Sequence, residues 1–298
     1  MKHFRVVSAF VAFLMVGCGD ESKPDPVELC APPPPEDCTF DPATFSSFDG
    51  LDGLRIDDAR DLVPFCERGC KRFNGSLYFQ IRTGPPPRSL SPLSNLTEIQ
   101  GIYANNGGYG APDFRGLESL ETIRNLSVFD EPALESLEGF ESLQEVGIIS
   151  LENVPNLRSL AGLNGLQRIN QRAYYDDSVG IESLIRRADA LEDLSGLDSL
   201  VEIDGRIQLE DNRGLESFEG AESLRSAGEF LAIGNPELSS LDGFEGVQTA
   251  NQLYFQNNPN LPSCEVDALI ERVDVQSDRL DPESWTANDQ NSPECPGE

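Results

Sequence analysis

Seven cysteines, one histidine and 52 acidic side chains bound the chemistry open to this 298-residue chain. His3 is the sole histidine, and it lies in an amino-terminal segment expected to be removed. The remainder therefore has no Ser-His-Asp triad, no Cys-His pair and no histidine metal ligand. Any reaction would fall to carboxylates, arginine, tyrosine or a bound metal. The pairs Asp57-Asp58 and Asp176-Asp177 are the candidates for calcium, yet no EF-hand spacing surrounds them. The residues call for no cofactor, no metal and no catalytic group.

Six cysteines follow Cys18: Cys30, Cys38, Cys66, Cys70, Cys264 and Cys295. An even number in an exported chain implies disulfides. Cys264 and Cys295 are expected to pair, closing a loop worth roughly 3–4 kcal/mol by chain entropy. The other four allow three pairings. A Cys66–Cys70 bridge within one helical turn is awkward, which favours Cys30 and Cys38 each reaching one of Cys66 and Cys70. A zinc site is the alternative.

Charge narrows the partners. Lys and Arg total 22 against 52 Asp and Glu, and losing Lys2 and Arg5 with the leader takes the net charge from −30 to −32. Such a surface repels nucleic acid and anionic lipid head groups. It suits solubility, cations or a basic partner. The acids fall at repeat positions such as Glu118, Glu138 and Glu141, where a solvated face accounts for them.

The leader itself is legible. Lys2, His3 and Arg5 precede an apolar run from Val6 to Val16, too short to span a bilayer but right for a signal-peptide core. It ends in Leu14-Met15-Val16-Gly17-Cys18, which resembles a bacterial lipoprotein box apart from Met15. That resemblance implies cleavage before Cys18 and acylation of Cys18, with a multiply acylated terminus holding the membrane. Gly19 in place of Asp points to the outer membrane. Membrane attachment is then by the lipid alone. Residues 18–41, rich in proline and acid, read as a stalk, with Pro32 to Pro35 extended.

The elements that position everything else come from a repeat. Phrases of the form L-x-G-[LF]-x-x-L begin at Leu90, Phe114, Leu137, Leu160, Leu194, Phe218 and Leu241. All intervals are 23 or 24 residues except the fourth, which is 34 and holds an insertion of about 11 residues within 170–193. Each unit is apolar at positions 0, 3, 6 and 9, often with Gly at 2. A short strand follows near position 12, then Asn or Asp, often Pro, then Leu. This period predicts a solenoid of about eight coils, mainly β, whose leucines stack because one coil cannot bury its own apolar side. Glycines supply corner conformations. Asparagines bond to the turn backbone or to the Asn one coil away.

The phrase "LSPLSNLTEIQGIYANN" and the opening "CKRFNGSLYFQI" resemble the receptor L-domain family. That resemblance covers roughly residues 66–264. It implies a right-handed β-solenoid of ~23-residue coils with short helical caps, as in receptor ectodomains and bacterial surface lipoproteins. The expected organisation is a signal peptide over 1–17, a stalk over 18–41, an amino-terminal cap over 42–75, the repeat solenoid over 76–263 and a disulfide-pinned cap over 264–298. The amino-terminal cap is expected as a helix interrupted at Pro64. The second is expected as a helix capped by Ser263, with Val266, Leu269, Ile270 and Val273 on its apolar face and Trp285 beside it.

If Ile102, Leu126, Ile149, Phe230 and Leu253 point inward, strand alternation turns their neighbours outward. The expected binding face holds Tyr103, Phe129 and Tyr254, with Leu231, Ile233, Gln208 and Glu210 around them. Tyr174 and Tyr175 in the insertion join it as loop residues. Two functions follow. One is a lipid-anchored, non-catalytic envelope protein recognising a protein or a glycan. The alternative is a calcium-dependent polysaccharide-processing β-helix enzyme.

Overall fold

The computed structural model describes residues 36–40, 53–57, 59–79, 89–174 and 182–275. The leader, Cys18, Tyr175, Asp58, Asp176, Asp177, Trp285 and Cys295 lie outside the described residues, as do the side chains of Cys38 and Cys66.

The L-x-x-L-x-x-L phrase folds as consecutive tight turns. Leu93 N–H donates to Leu90 C=O at 2.7 Å, and Leu96 N–H to Leu93 C=O at 2.9 Å. The same pattern recurs at Leu163 and Leu166. A three-residue period thus aims positions 0, 3 and 6 into one interior. Leu137, Phe140 and Leu143 are fully buried there.

The strands that follow are all parallel. They are β1 (Glu36–Phe40), β2 (Gly53–Ile56), β3 (Cys70–Phe79), β4 (Glu98–Asn105), β5 (Thr122–Phe129), β6 (Glu145–Glu152), β7 (Arg168–Asn170), β8 (Ser183–Arg186), β9 (Glu202–Asp204), β10 (Arg206–Glu210), β11 (Glu229–Ile233), β12 (Thr249–Ala250), β13 (Gln252–Gln256) and β14 (Asp274–Val275). The main sheet runs β1-β3-β4-β5-β6-β8-β10-β11-β13. The protein is a parallel β-solenoid of about eight turns. The expected inward row pairs in register as Leu77, Ile102, Leu126 and Ile149, and again as Ser183, Ile207, Phe230 and Leu253. Ser183 breaks its apolar character, and its hydroxyl instead accepts the Ile149 N–H at 3.2 Å.

Two features depart from the sequence reading. β1 pairs with β3, so the sheet begins inside the segment expected as stalk. In addition, each coil carries strand pairing at position 9 as well as position 12. β4, β5 and β6 run through both positions, whereas the later coils divide into β7 and β8, β9 and β10, or β12 and β13. The insertion opens at that division. Glu145 and Ser150 are five residues apart, but their partners Arg168 and Leu184 are sixteen apart.

The corners need special backbone. Gly116, Gly139, Gly162, Gly196, Gly220 and Gly243 have φ between +96° and +113°. A Cβ on Gly139 would sit 2.0 Å from the Phe114 carbonyl oxygen, so side chains are excluded on both counts. The acid two residues on is not merely solvated. Glu118 accepts the Gly116 N–H and Glu141 the Gly139 N–H, each at 2.8 Å. Glu138 pairs with Arg115.

At the other corner, Asn106, Asp130, Asn153, Arg187, Asp211, Gly234 and Asn257 have φ of +53° to +70°. The next residue in the last three corners is a fully buried asparagine. Asn212 Oδ1 accepts the Ala188 N–H, Asn235 Oδ1 the Asn212 N–H, and Asn258 Oδ1 the Asn235 N–H, all at 3.0 Å. Each Nδ2 donates back to a strand-end carbonyl, of Ile185, Leu209 and Ala232 in turn. Earlier, Glu131 holds that position and accepts the Tyr109 and Gly110 N–H groups at 3.0 and 3.1 Å. Burial pushes its carboxyl upward, against the pull of those amides.

Both ends are capped. The helix α1 (Val63–Arg68) is started rather than interrupted by Pro64, because the first turn needs no N–H there. A second short helix, α2 (Gln171–Tyr174), opens the insertion. The last helix, α3 (Ser263–Arg272), has Pro262 at its N-cap and no side-chain cap, so Ser263 does not serve that role. Its polar side chains bond back to the coil before it, and β14 then pairs with β12. Glu265 Oε2 accepts the Leu241 N–H at 3.0 Å, and Arg272 donates to the Phe244, Glu245 and Val247 carbonyls. Cys70 and Cys264 are disulfide-bonded, to cysteines whose side chains are not among those described.

Gly139→Ala should destabilise the protein by about 2–4 kcal/mol, since both φ and space forbid the methyl group. Gly107→Ala, at φ +66° with nothing within 4 Å, should cost only about 1–2 kcal/mol. Urea unfolding of the two variants checks the ranking.

Candidate binding face

Outward residues of the main sheet form rows along the stack. The central row is Tyr78, Tyr103, Ser127, Ser150, Leu184, Gln208, Leu231 and Tyr254. Tyr103 and Tyr254 both point outward, as expected, and are half-buried. They stand six strands apart, roughly 29 Å at the usual strand spacing, so they do not share one patch. Tyr103 stacks on Tyr78 at 4.8 Å with an 8° interplanar angle. Tyr78 was legible in the opening "CKRFNGSLYFQI" by its place one coil before Tyr103, but its strand carries a bulge between Phe73 and Ser76 that disguises the spacing.

A second row runs Asn105, Phe129, Glu152, Arg186, Glu210, Ile233 and Gln256. Phe129 and Ile233 are half-buried in it. Leu231, in the central row, is only 9 % exposed and offers little to a partner. The middle of the face is closed too. Ser127 is 5 % and Ser150 8 % exposed, and Ile148 is fully buried without belonging to the main core.

Sequence reasoning missed the arginines. Arg206 bonds Glu182 at 2.8 Å and Glu229 at 2.7 Å across neighbouring coils. Arg186 pairs with Glu152 and lies 3.8 Å from Glu210. Each arginine stands between two acids one coil away, 23 or 24 residues off except for Glu152, which the insertion sets 34 residues before Arg186, a pattern that only the strand register exposes. The carboxylates expected as dispersed are thus partly neutralised on this face.

Tyr174 is not a free loop residue. The α2 helix lays it beside Gly147, where a Cβ would meet its ring at 2.7 Å. Its hydroxyl donates to Glu145 Oε1 at 2.9 Å, and the Arg124 guanidinium lies 5.5 Å from its ring centroid. Burial, then the Glu145 hydrogen bond and charge, push its phenol up to about 12. Tyr174 also walls a pocket of about 220 Å³ with Arg72, Asn74, Gln100, Thr122 and Arg124. Asp57 is paired with Arg55 at 2.9 Å. Among the described residues no three His, Cys, Asp or Glu side chains gather as metal ligands, and no helix is long and apolar enough to cross a membrane.

No protein-family model, no curated protein and no solved structure matches this chain.

The raised phenol means that the neutral form is the one the fold holds. The contribution of the Tyr174–Glu145 bond is full below pH 10 and is lost as pH rises through about 12. In an alkaline absorbance titration, Tyr174→Phe should remove one phenol ionising near 12.

Proposed function

We propose that this chain is a lipid-anchored protein of the bacterial outer membrane whose solenoid binds a protein or glycan partner and performs no catalysis. The solenoid is read as receptor L-domain-like on the strength of its repeat phrases. The observation that carries the binding reading is the main sheet itself. It is a rigid parallel surface whose outward rows combine tyrosines, a leucine, amides and arginine–carboxylate pairs, with Tyr254, Gln208 and Ile233 left partly exposed. Surfaces of mixed aromatic and arginine character are favoured for recognition. The pairing of Glu152, Glu182 and Glu229 with arginine argues against a free carboxylate machinery. The anchor is Cys18, and the disulfides are Cys264–Cys295 with Cys30 and Cys38 joined to Cys66 and Cys70.

Incorporating a photo-crosslinking residue at Gln208 of the full chain in cells should give discrete adducts. The same residue at the exposed Arg158, off this face, should give none. Equal adducts at both positions, or none at either, would sink the binding reading. Cys18→Ala should move the protein from the membrane to the soluble fraction, and continued membrane retention would remove the lipid anchor.

A further inference from the structure

The pocket beside Tyr174 lies off the crowded middle of the sheet, on the first halves of β3, β4 and β5, beside the bulge in β3. Its walls are planar polar groups. Gln100 Nε2 donates to Asn74 Oδ1 at 2.7 Å, which leaves the Gln100 carbonyl oxygen to accept and the Asn74 amide to donate. Thr122 adds a hydroxyl. At about 220 Å³ the pocket is smaller than the ~300–1,000 Å³ of sites that enclose a drug-sized ligand. It fits one terminal ring or group of a larger molecule.

Arg124 is the unusual member. In a chain with 52 acids against 22 bases, three arginines of the later strands are held by carboxylates: Arg168 by Glu145, Arg186 by Glu152, and Arg206 by Glu182 and Glu229. Among the described residues Arg124 has no ion pair. Its guanidinium is exposed and held near the Tyr174 ring. An arginine oriented by an aromatic ring keeps its fork of donors for a carboxylate. Glu98 lines the same pocket. It repels a second negative charge but accepts hydrogen bonds from hydroxyls, which favours a ligand carrying one carboxylate among several hydroxyls.

We infer that this pocket binds a carboxylated sugar residue, such as a uronic acid, with Arg124 clamping the carboxylate and Asn74, Gln100, Thr122 and Glu98 reading the hydroxyls. The inference rests on the binding reading above and names its ligand class. The α2 segment contributes Tyr174, so the insertion that breaks the repeat is also what completes the pocket.

The test titrates the full chain with galacturonate, a single-ring acid with one carboxylate, and with its methyl ester, following binding by calorimetry. The acid form should bind, the ester at least tenfold more weakly, and added salt should weaken the acid form only. Arg124→Gln should lose at least tenfold for the acid form, while Arg158→Gln binds as the wild type. Arg124→Lys keeps the charge without the fork and should fall between them. Circular dichroism of each variant should match the wild type. Equal binding of acid and ester, wild-type binding by Arg124→Gln, or no binding of either sugar would each overturn this assignment. The Gln208 adducts would survive any of those outcomes, so failure of this pocket and failure of the broader reading are told apart.

Discussion

A coil of about 23 residues has no interior of its own, so everything here depends on hydrogen bonds that run from each coil to the next. The strands supply most of them, but strands end. At each end the backbone must turn without leaving buried N–H and C=O groups unmet, and an unmet buried group costs about 1–3 kcal/mol. The corners meet this demand with residues at positive φ and with side chains that act as backbone. Asn212, Asn235 and Asn258 each supply an acceptor and a donor where the ladder lapses. In α3, Glu265 and Arg272 do the same for the backbone of the coil before it.

The same constraint positions the candidate sites. Because register runs without a shift from β4 to β13, residues 23 or 24 apart become neighbours, and Arg206 meets Glu182 and Glu229. Because the insertion enters between β7 and β8, both strands keep their pairing with β6. Tyr174 is carried over Gly147, one of the few places where the sheet has no side chain to block it. The alteration in period, the small residue and the pocket are therefore parts of one arrangement.

Much of the fold was legible. The three-residue spacing of leucines, the glycine at position 2 and the inward row of Ile102, Leu126, Ile149, Phe230 and Leu253 all follow from period alone, and the structure places them as read. What escaped had a local cause. Pro64 breaks helices in their interior but opens them at their first turn, so its effect depended on a boundary that sequence leaves loose. Pro262 and Ser263 differ by one position in the same way. The second strand stack was hidden because Ile99, Ile123 and Val146 read as the end of the apolar phrase rather than as strands. The candidate face was less legible still. Alternation gave the direction of Tyr103 and Tyr254 but not the distance between them, nor that Ser127, Ser150 and Leu231 would be covered. Arg124 drew no notice because its lack of a partner is a property of its neighbours in space.

The claim that coil-to-coil hydrogen bonds at the corners hold the stack as one unit is tested most directly by native-state hydrogen exchange at Asn212 and Asn235. Turn amides on a protein surface ordinarily exchange quickly. Here both amides donate to the asparagine of the next coil at 3.0 Å and are buried. They should exchange as slowly as the amides of Ile207 and Phe230 in the adjoining strands, through the same global opening. Fast exchange at Asn212 and Asn235 beside slow strand amides would show that the ladder carries no load and that the strands alone hold the coils together.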